Sequence, residues 1–78
     1  MESFEPKKLA LIRIWQILKD YSDYDHPLTQ EDIAVKLENE YGIVIERKAI
    51  SRNISLLKEA GVDIESRRAG SYLERREF

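Results

Sequence analysis

Seventy-eight residues are enough for one small domain with a single core and too few for two. With 42% hydrophobic and 36% charged residues and no apolar run near the ~20 that a spanning helix needs, the composition excludes a helical membrane span, while zero cysteines exclude a disulfide framework, a thiolate nucleophile and a zinc finger. The formal net charge of -2 hides a division: residues 1–46 carry five Lys or Arg against ten Asp or Glu, giving -5, whereas residues 47–78 carry eight against five, giving +3.

In chain order, Pro6 can open a helix, since its missing N–H costs nothing at the first position, and KKLALIRIWQILKDYSDY contains no Gly or Pro to stop it. On a 3.6-residue period Leu11, Ile14, Trp15, Leu18 and Tyr21 share one face. Leu9, Ile12 and Ile17 fall outside that stripe. The apolar arc is wider than one neighbour needs, so the helix is expected to be wrapped by a second element, with a dimer contact as the alternative. SDYDHP then breaks the helix. Thr29 as N-cap with Asp32 three residues on predicts a capping box, and Leu28 with Ile33 a hydrophobic staple, opening a second helix that runs to about Tyr41 and stops at Gly42. The β-branched Ile43 to Ile45 predict a short strand. A third helix follows over Arg47 to Ala60, ended by Gly61. Val62 and Ile64 on one side of Arg67, Arg68, Ala69 and Gly70, and Tyr72 and Leu73 on the other, predict a β-hairpin with a basic tip. The expected fold class is α+β, three helices plus a short strand and a C-terminal hairpin.

The third helix is the informative element. Ile50, Ile54 and Leu57 fall on one side and form its buried face. The opposite side reads Lys48, Ser51, Arg52, Ser55 and Glu59, with Arg47 near the start. Cations and short hydroxyls toward the N-terminal end suit insertion into a major groove, where Arg binds guanine bidentately and a small side chain permits close approach. An ordinary solvated helix would place acids there, because cations at that end oppose the helix dipole. Arg67 and Arg68 at the hairpin tip are positioned to touch the flanking backbone. A sequence pI near 5.4 counts against a domain that is basic overall, yet a localised basic face is what phosphate contact requires.

Across nearly the whole chain, through KKLALIRIWQIL, SDYDHPLTQEDIAVKL, YGIVIERKAISRNISLLKEAGVDI and SRRAGSYL, the sequence resembles the N-terminal winged helix-turn-helix domain of bacterial transcriptional regulators of the WYL-domain group, related to DeoR-like winged helices. The resemblance implies that the third helix reads duplex DNA and the hairpin is the wing. Carried over by position, it implies DNA contacts from Arg47, Lys48, Ser51, Arg52, Ser55, Arg67 and Arg68. Departures occur at Ala49, Ser51 and Asn53, where the family commonly has Thr, a second Arg and Asp. Such regulators carry a downstream effector-sensing domain, so residues 1–78 are expected to be the N-terminal DNA-binding part of a longer protein.

Other classes are weaker. His26, the single histidine, lies beside Asp20, Asp23 and Asp25 in a loop without calcium-loop spacing, so neither catalysis nor a metal site is expected, and no cofactor is implied. The serious competitor is a winged helix used for protein contact, anchored by Trp15 or by Val35 and Leu56 if exposed. Double-stranded DNA is the expected partner, no membrane is, and a homodimer through a downstream domain or the first helix stays open. The N-terminal MESFEPKK has no apolar h-region, and the absence of cysteine suits a reducing cytoplasm, the expected location.

Overall fold

The computed structural model describes residues 9–74. Three helices, α1 (Ala10–Tyr21), α2 (Gln30–Tyr41) and α3 (Arg47–Glu59), precede a two-stranded antiparallel hairpin of β1 (Ile64–Arg67) and β2 (Gly70–Leu73). This is an α+β layout consistent with a winged helix. Pro6 and the expected start of the first helix lie outside the described residues.

The core is built where the helices cross. Ile14, Ile17 and Leu18 of α1, Ile33 and Leu37 of α2 and Ile50 of α3 are fully buried, joined by Ile54, Leu57, Ile64 and Leu73. Each such side chain contributes roughly 1.5–3 kcal/mol on leaving water. Ile17, expected outside the α1 stripe, is at its centre, because α1 packs against α2, α3 and β2 together. The wrapped arrangement therefore holds. Tyr21, expected on the inner face, is exposed, its hydroxyl donating to Glu40 Oε2 at 2.7 Å and its ring lying under Lys36 Nζ at 3.9 Å. Trp15 is half-buried against the core beneath Lys19.

The start of α2 is fixed locally. Thr29 Oγ1 accepts from the Asp32 N–H and Asp32 Oδ2 accepts from the Thr29 N–H, both at 3.0 Å, a complete capping box, with Leu28 and Ile33 buried beside it. Gly42 closes α2 in the left-handed region at φ 67°, its N–H bonding to the Glu38 carbonyl. The Ile43 N–H is then accepted by the Leu37 carbonyl at 3.1 Å.

That bond corrects the expected strand at Ile43 to Ile45. Ile43 spends its amide on the helix end and plugs the core, Val44 turns to solvent, and the segment joins no ladder among the described residues. The hairpin finds a third partner elsewhere. Leu28 and Ser71 exchange both backbone hydrogen bonds, at 2.8 and 2.7 Å, and the Leu73 N–H donates to Ser22 Oγ at 3.1 Å. One edge of β2 therefore pairs with β1 and the other with residues of the α1–α2 connection. Pro27 and the Thr29 cap confine that third strand to a single residue, since Pro has no N–H to donate and Thr29 commits its own to the cap.

The hairpin turn is Arg68–Ala69, narrower than the tip expected, and Gly70 takes φ 141° beside it. A Cβ at Gly70 would stand 2.6 Å from the carbonyl carbon and oxygen of Leu28. Glycine is required there by contact as well as by conformation.

Candidate nucleic-acid interface

At about 100° per residue, the exposed side chains of α3 divide into two sets. Arg47, Ser51, Ser55 and Lys58 flank the buried stripe on the side facing the wing, while Lys48, Arg52 and Glu59 occupy the outermost line. All seven residues expected to contact DNA are exposed. The structure brings Arg47, Ser51 and Ser55 together with Arg67 and Arg68 around one groove of about 550 Å³, roofed by the wing and closed at one end by Leu28, Thr29, Gln30 and Glu31. Lys48 and Arg52, one helical turn apart, are not in its lining and project from the helix beyond it.

The cations of α1 and α2 are committed to neighbouring side chains. Arg13 lies 4.4 Å from the centre of the Tyr41 ring and donates to Gln16, Lys19 lies over Trp15, and Lys36 over Tyr21. Among the described residues, no hydrogen bond, ion pair or ring contact engages Arg47, Lys48, Arg52 or Arg68. The N-terminus of α3 has no side-chain cap and no acid in its first turn, unlike α2, whose first turn holds Glu31 and Asp32. Positive charge and unsatisfied N–H dipoles therefore add at one helix end, the arrangement that draws anions.

Arg67 differs from these four. Its Nη2 donates to the Tyr24 carbonyl at 2.6 Å, and its guanidinium carbon lies 4.5 Å from the Tyr24 ring centre and 5.1 Å from that of Tyr72. It borders the groove, but its fork is turned toward the α1–α2 connection.

Three side chains of the groove went unread in the sequence. Lys58 Nζ donates to Ser66 Oγ at 3.1 Å, and Ser66 Oγ lies 3.0 Å from Ser71 Oγ, so the ammonium is held on the groove floor between helix and wing. Lys58 stands seven residues after Ser51, on the same flank, which was a usable signal. Ser66 and Ser71 face each other across the hairpin, a pairing that only the register reveals. Among the described residues Glu31 is the one acid in the lining.

The acidic loop stays out of the groove, since none of Asp20, Asp23 or Asp25 lines it. Asp23 Oδ1 accepts from the backbone N–H groups of Asp25 and His26 at 2.9 and 2.8 Å, and from His26 Nδ1 at 2.9 Å; a carboxylate can only accept, so Nδ1 carries the proton. The hydrogen bond from the His26 ring, ahead of those from the backbone, holds the Asp23 carboxyl below its ordinary value. Among the described residues no group of three or more His, Asp or Glu gathers as a metal ion would require. No described helix is long and apolar enough to cross a membrane. On the far flank of α3, Leu56 is 52% exposed within a shallow hollow shared with Ala49, Arg52, Asn53 and Glu59, and Val35 is 50% exposed. No protein-family model, curated protein or solved structure matches the chain.

Proposed function

We propose that this chain is the sequence-specific, double-stranded DNA-binding domain of a bacterial transcriptional regulator of the WYL-domain type. It is a binding module of the cytoplasm and not an enzyme. In this reading α3 enters the major groove with Lys48 and Arg52 foremost, and the wing lies along the flanking backbone with Arg68 at its turn. Arg47, Lys58, Ser51 and Ser55 accompany a phosphate strand running between helix and wing. The observation that carries the reading is the distribution of uncommitted charge: the cations of α1 and α2 are stacked on aromatic rings, whereas Arg47, Lys48, Arg52 and Arg68 stand free on one face among the described residues. A helix about 20 Å long carrying serines between its cations fits a groove about 12 Å wide. Specific affinity is expected to come from a dimer on two half-sites about one helical turn apart.

Fluorescence anisotropy of a labelled mixed-sequence duplex, titrated as salt is raised, tests this. With roughly four to six phosphate contacts, log K should fall against log salt with a slope of about -3.5 to -5.5. Replacing Lys48 and Arg52 together by alanine should remove most of the binding. Undiminished affinity in that double variant would overturn the assignment of α3. The exposed Leu56 and Val35 favour the competing reading of a protein-contact module. Absence of wild-type binding at low salt, alone and when fused to a dimerising segment, would decide for that competitor.

A further inference from the structure

We propose that Arg67 is a positioning residue, a clamp that fastens the wing to the α1–α2 connection and so sets the angle at which Arg68 meets the DNA backbone. The role in DNA contact rests on the reading above; the clamp itself rests on geometry alone. Arg67 is the last residue of β1, yet its guanidinium binds backbone 43 residues earlier in the chain, at the Tyr24 carbonyl. It lies in the angle between two rings that meet edge-on, Tyr24 and Tyr72, 5.7 Å apart at 86°. Tyr72 belongs to β2 and is buried, whereas Tyr24 is exposed, so the guanidinium joins a fixed ring of the wing to a ring of the loop.

The parts around it are fitted to that joint. Tyr24 sits in a turn held by Asp23 Oδ1, which accepts from two backbone amides and the His26 ring. Across the hairpin Arg67 faces Gly70, which has no Cβ and so lets the Leu28 backbone approach. The neighbouring Ser71 exchanges hydrogen bonds with Leu28, and Leu73 donates to Ser22. The wing is thus attached to the same connection at residues 22, 24 and 28, and Arg67 is the attachment nearest its tip. A planar fork that bonds a carbonyl while it rests against two rings gives direction that a lysine ammonium does not. Arg68, on the turn itself and without a partner among the described residues, is left to meet a phosphate.

The test has two readouts on the full chain. Amide hydrogen exchange of Ser71 and Leu73, relative to Ile17 and Ile54 in the helices, reports the attachment without DNA. Arg67→Gln, Arg67→Lys and Tyr24→Ala should each speed wing exchange severalfold and leave helix exchange unchanged, and Arg68→Gln should change neither. In the duplex titration Arg68→Gln should remove about 0.9 from the steepness of the salt dependence, and Arg67→Gln should add nothing further in that background, since it acts through Arg68. Arg67→Lys, which keeps the charge, should bind as weakly as Arg67→Gln. Wild-type wing exchange in the Arg67 variants would overturn the clamp. Additive salt slopes, or full affinity in Arg67→Lys, would show that Arg67 grips a phosphate directly. If the wild type bound no duplex, the DNA reading and the positioning role would fall together, while exchange would still decide whether the clamp exists.

Discussion

Substituting Gly70 by alanine probes the attachment of the wing at its tightest point. The cost has two parts. Alanine at φ 141° occupies a region that side-chain-bearing residues rarely adopt, at roughly 1–3 kcal/mol. Its Cβ would also lie 2.6 Å from the carbonyl carbon and oxygen of Leu28 and 2.9 Å from its nitrogen, all backbone atoms that cannot swing aside. Relief requires the wing to leave Leu28, which breaks the hydrogen bonds between Leu28 and Ser71, a net loss of about 0.5–1.5 kcal/mol each. Together these give a destabilisation of roughly 2–6 kcal/mol, and at about 4–8 °C per kcal/mol for a domain of this size the melting temperature should fall by 8 °C or more. Gly61→Ala is the internal control: Gly61 also has positive φ, at 103°, but a Cβ there meets nothing within 4 Å, so only strain is paid. Circular dichroism melts of both variants, with exchange of the Ser71 amide, separate the terms. Gly70→Ala should melt at least about 4 °C below Gly61→Ala, the equivalent of roughly 1 kcal/mol. Equal melting temperatures, or a Ser71 amide as protected as in the wild type, would refute the contact argument.

Ser22→Ala should cost about 1–3 kcal/mol in chemical denaturation, because it strips the buried Leu73 N–H of the Oγ that accepts it; a loss under about 0.5 kcal/mol would mean water replaces the hydroxyl. Lys48→Glu should stabilise the fold by roughly 0.5–1 kcal/mol, since it places an acid in a first turn that has none, while abolishing duplex binding; a destabilised variant, or one that still binds, contradicts the reading of that helix end. Asp23 has a folded-state pKa below its unfolded value, so its contribution is present above about pH 4 and lost as pH falls through the lower folded value. Melting curves from pH 5 to 2 should therefore decline less steeply for Asp23→Asn than for the wild type, and identical profiles would dismiss the loop as a source of acid lability.

What the sequence disclosed, and what it withheld, divides by range. The α2 capping box and the Gly42 terminus were legible because every participant lies within a few residues of its partner. The buried stripe of α3 was legible because Ile50, Ile54 and Leu57 repeat at the helical period. Ile17 was misplaced because a single stripe presumes a single neighbour, and α1 has three. The run Ile43 to Ile45 signals extended, half-buried chain, but pairing needs a free amide, and the end of α2 takes that of Ile43. Leu28 could not be read as a strand, since one residue between a proline and a helix cap has no period. Within the site, the charges of α3 and the wing were visible as composition. The commitment of Arg67 to Tyr24 was not, because nothing local in SRRAGS distinguishes a clamped arginine from a free one.

The contrast between α2 and α3 bears on why the reading points to function and not merely to a polar surface. Both helices have 12 or 13 residues and begin in extended backbone after a short connection. The first carries a reciprocal cap and two acids in its opening turn, worth about 1 kcal/mol for the cap alone. The second has Glu46 at the cap position with no side-chain hydrogen bond, followed at once by Arg47 and Lys48. Stability alone would favour on α3 the pattern already present on α2, which lies in the same chain, solvent and fold. An uncapped first turn that carries two cations, on the face where the free cations and the wing converge, is what a site selected for an external anion would produce. It is also reversible in a single residue, so the gain in stability and the loss of binding in Lys48→Glu should appear together; either without the other would mean that the uncapped end and the basic face have separate causes.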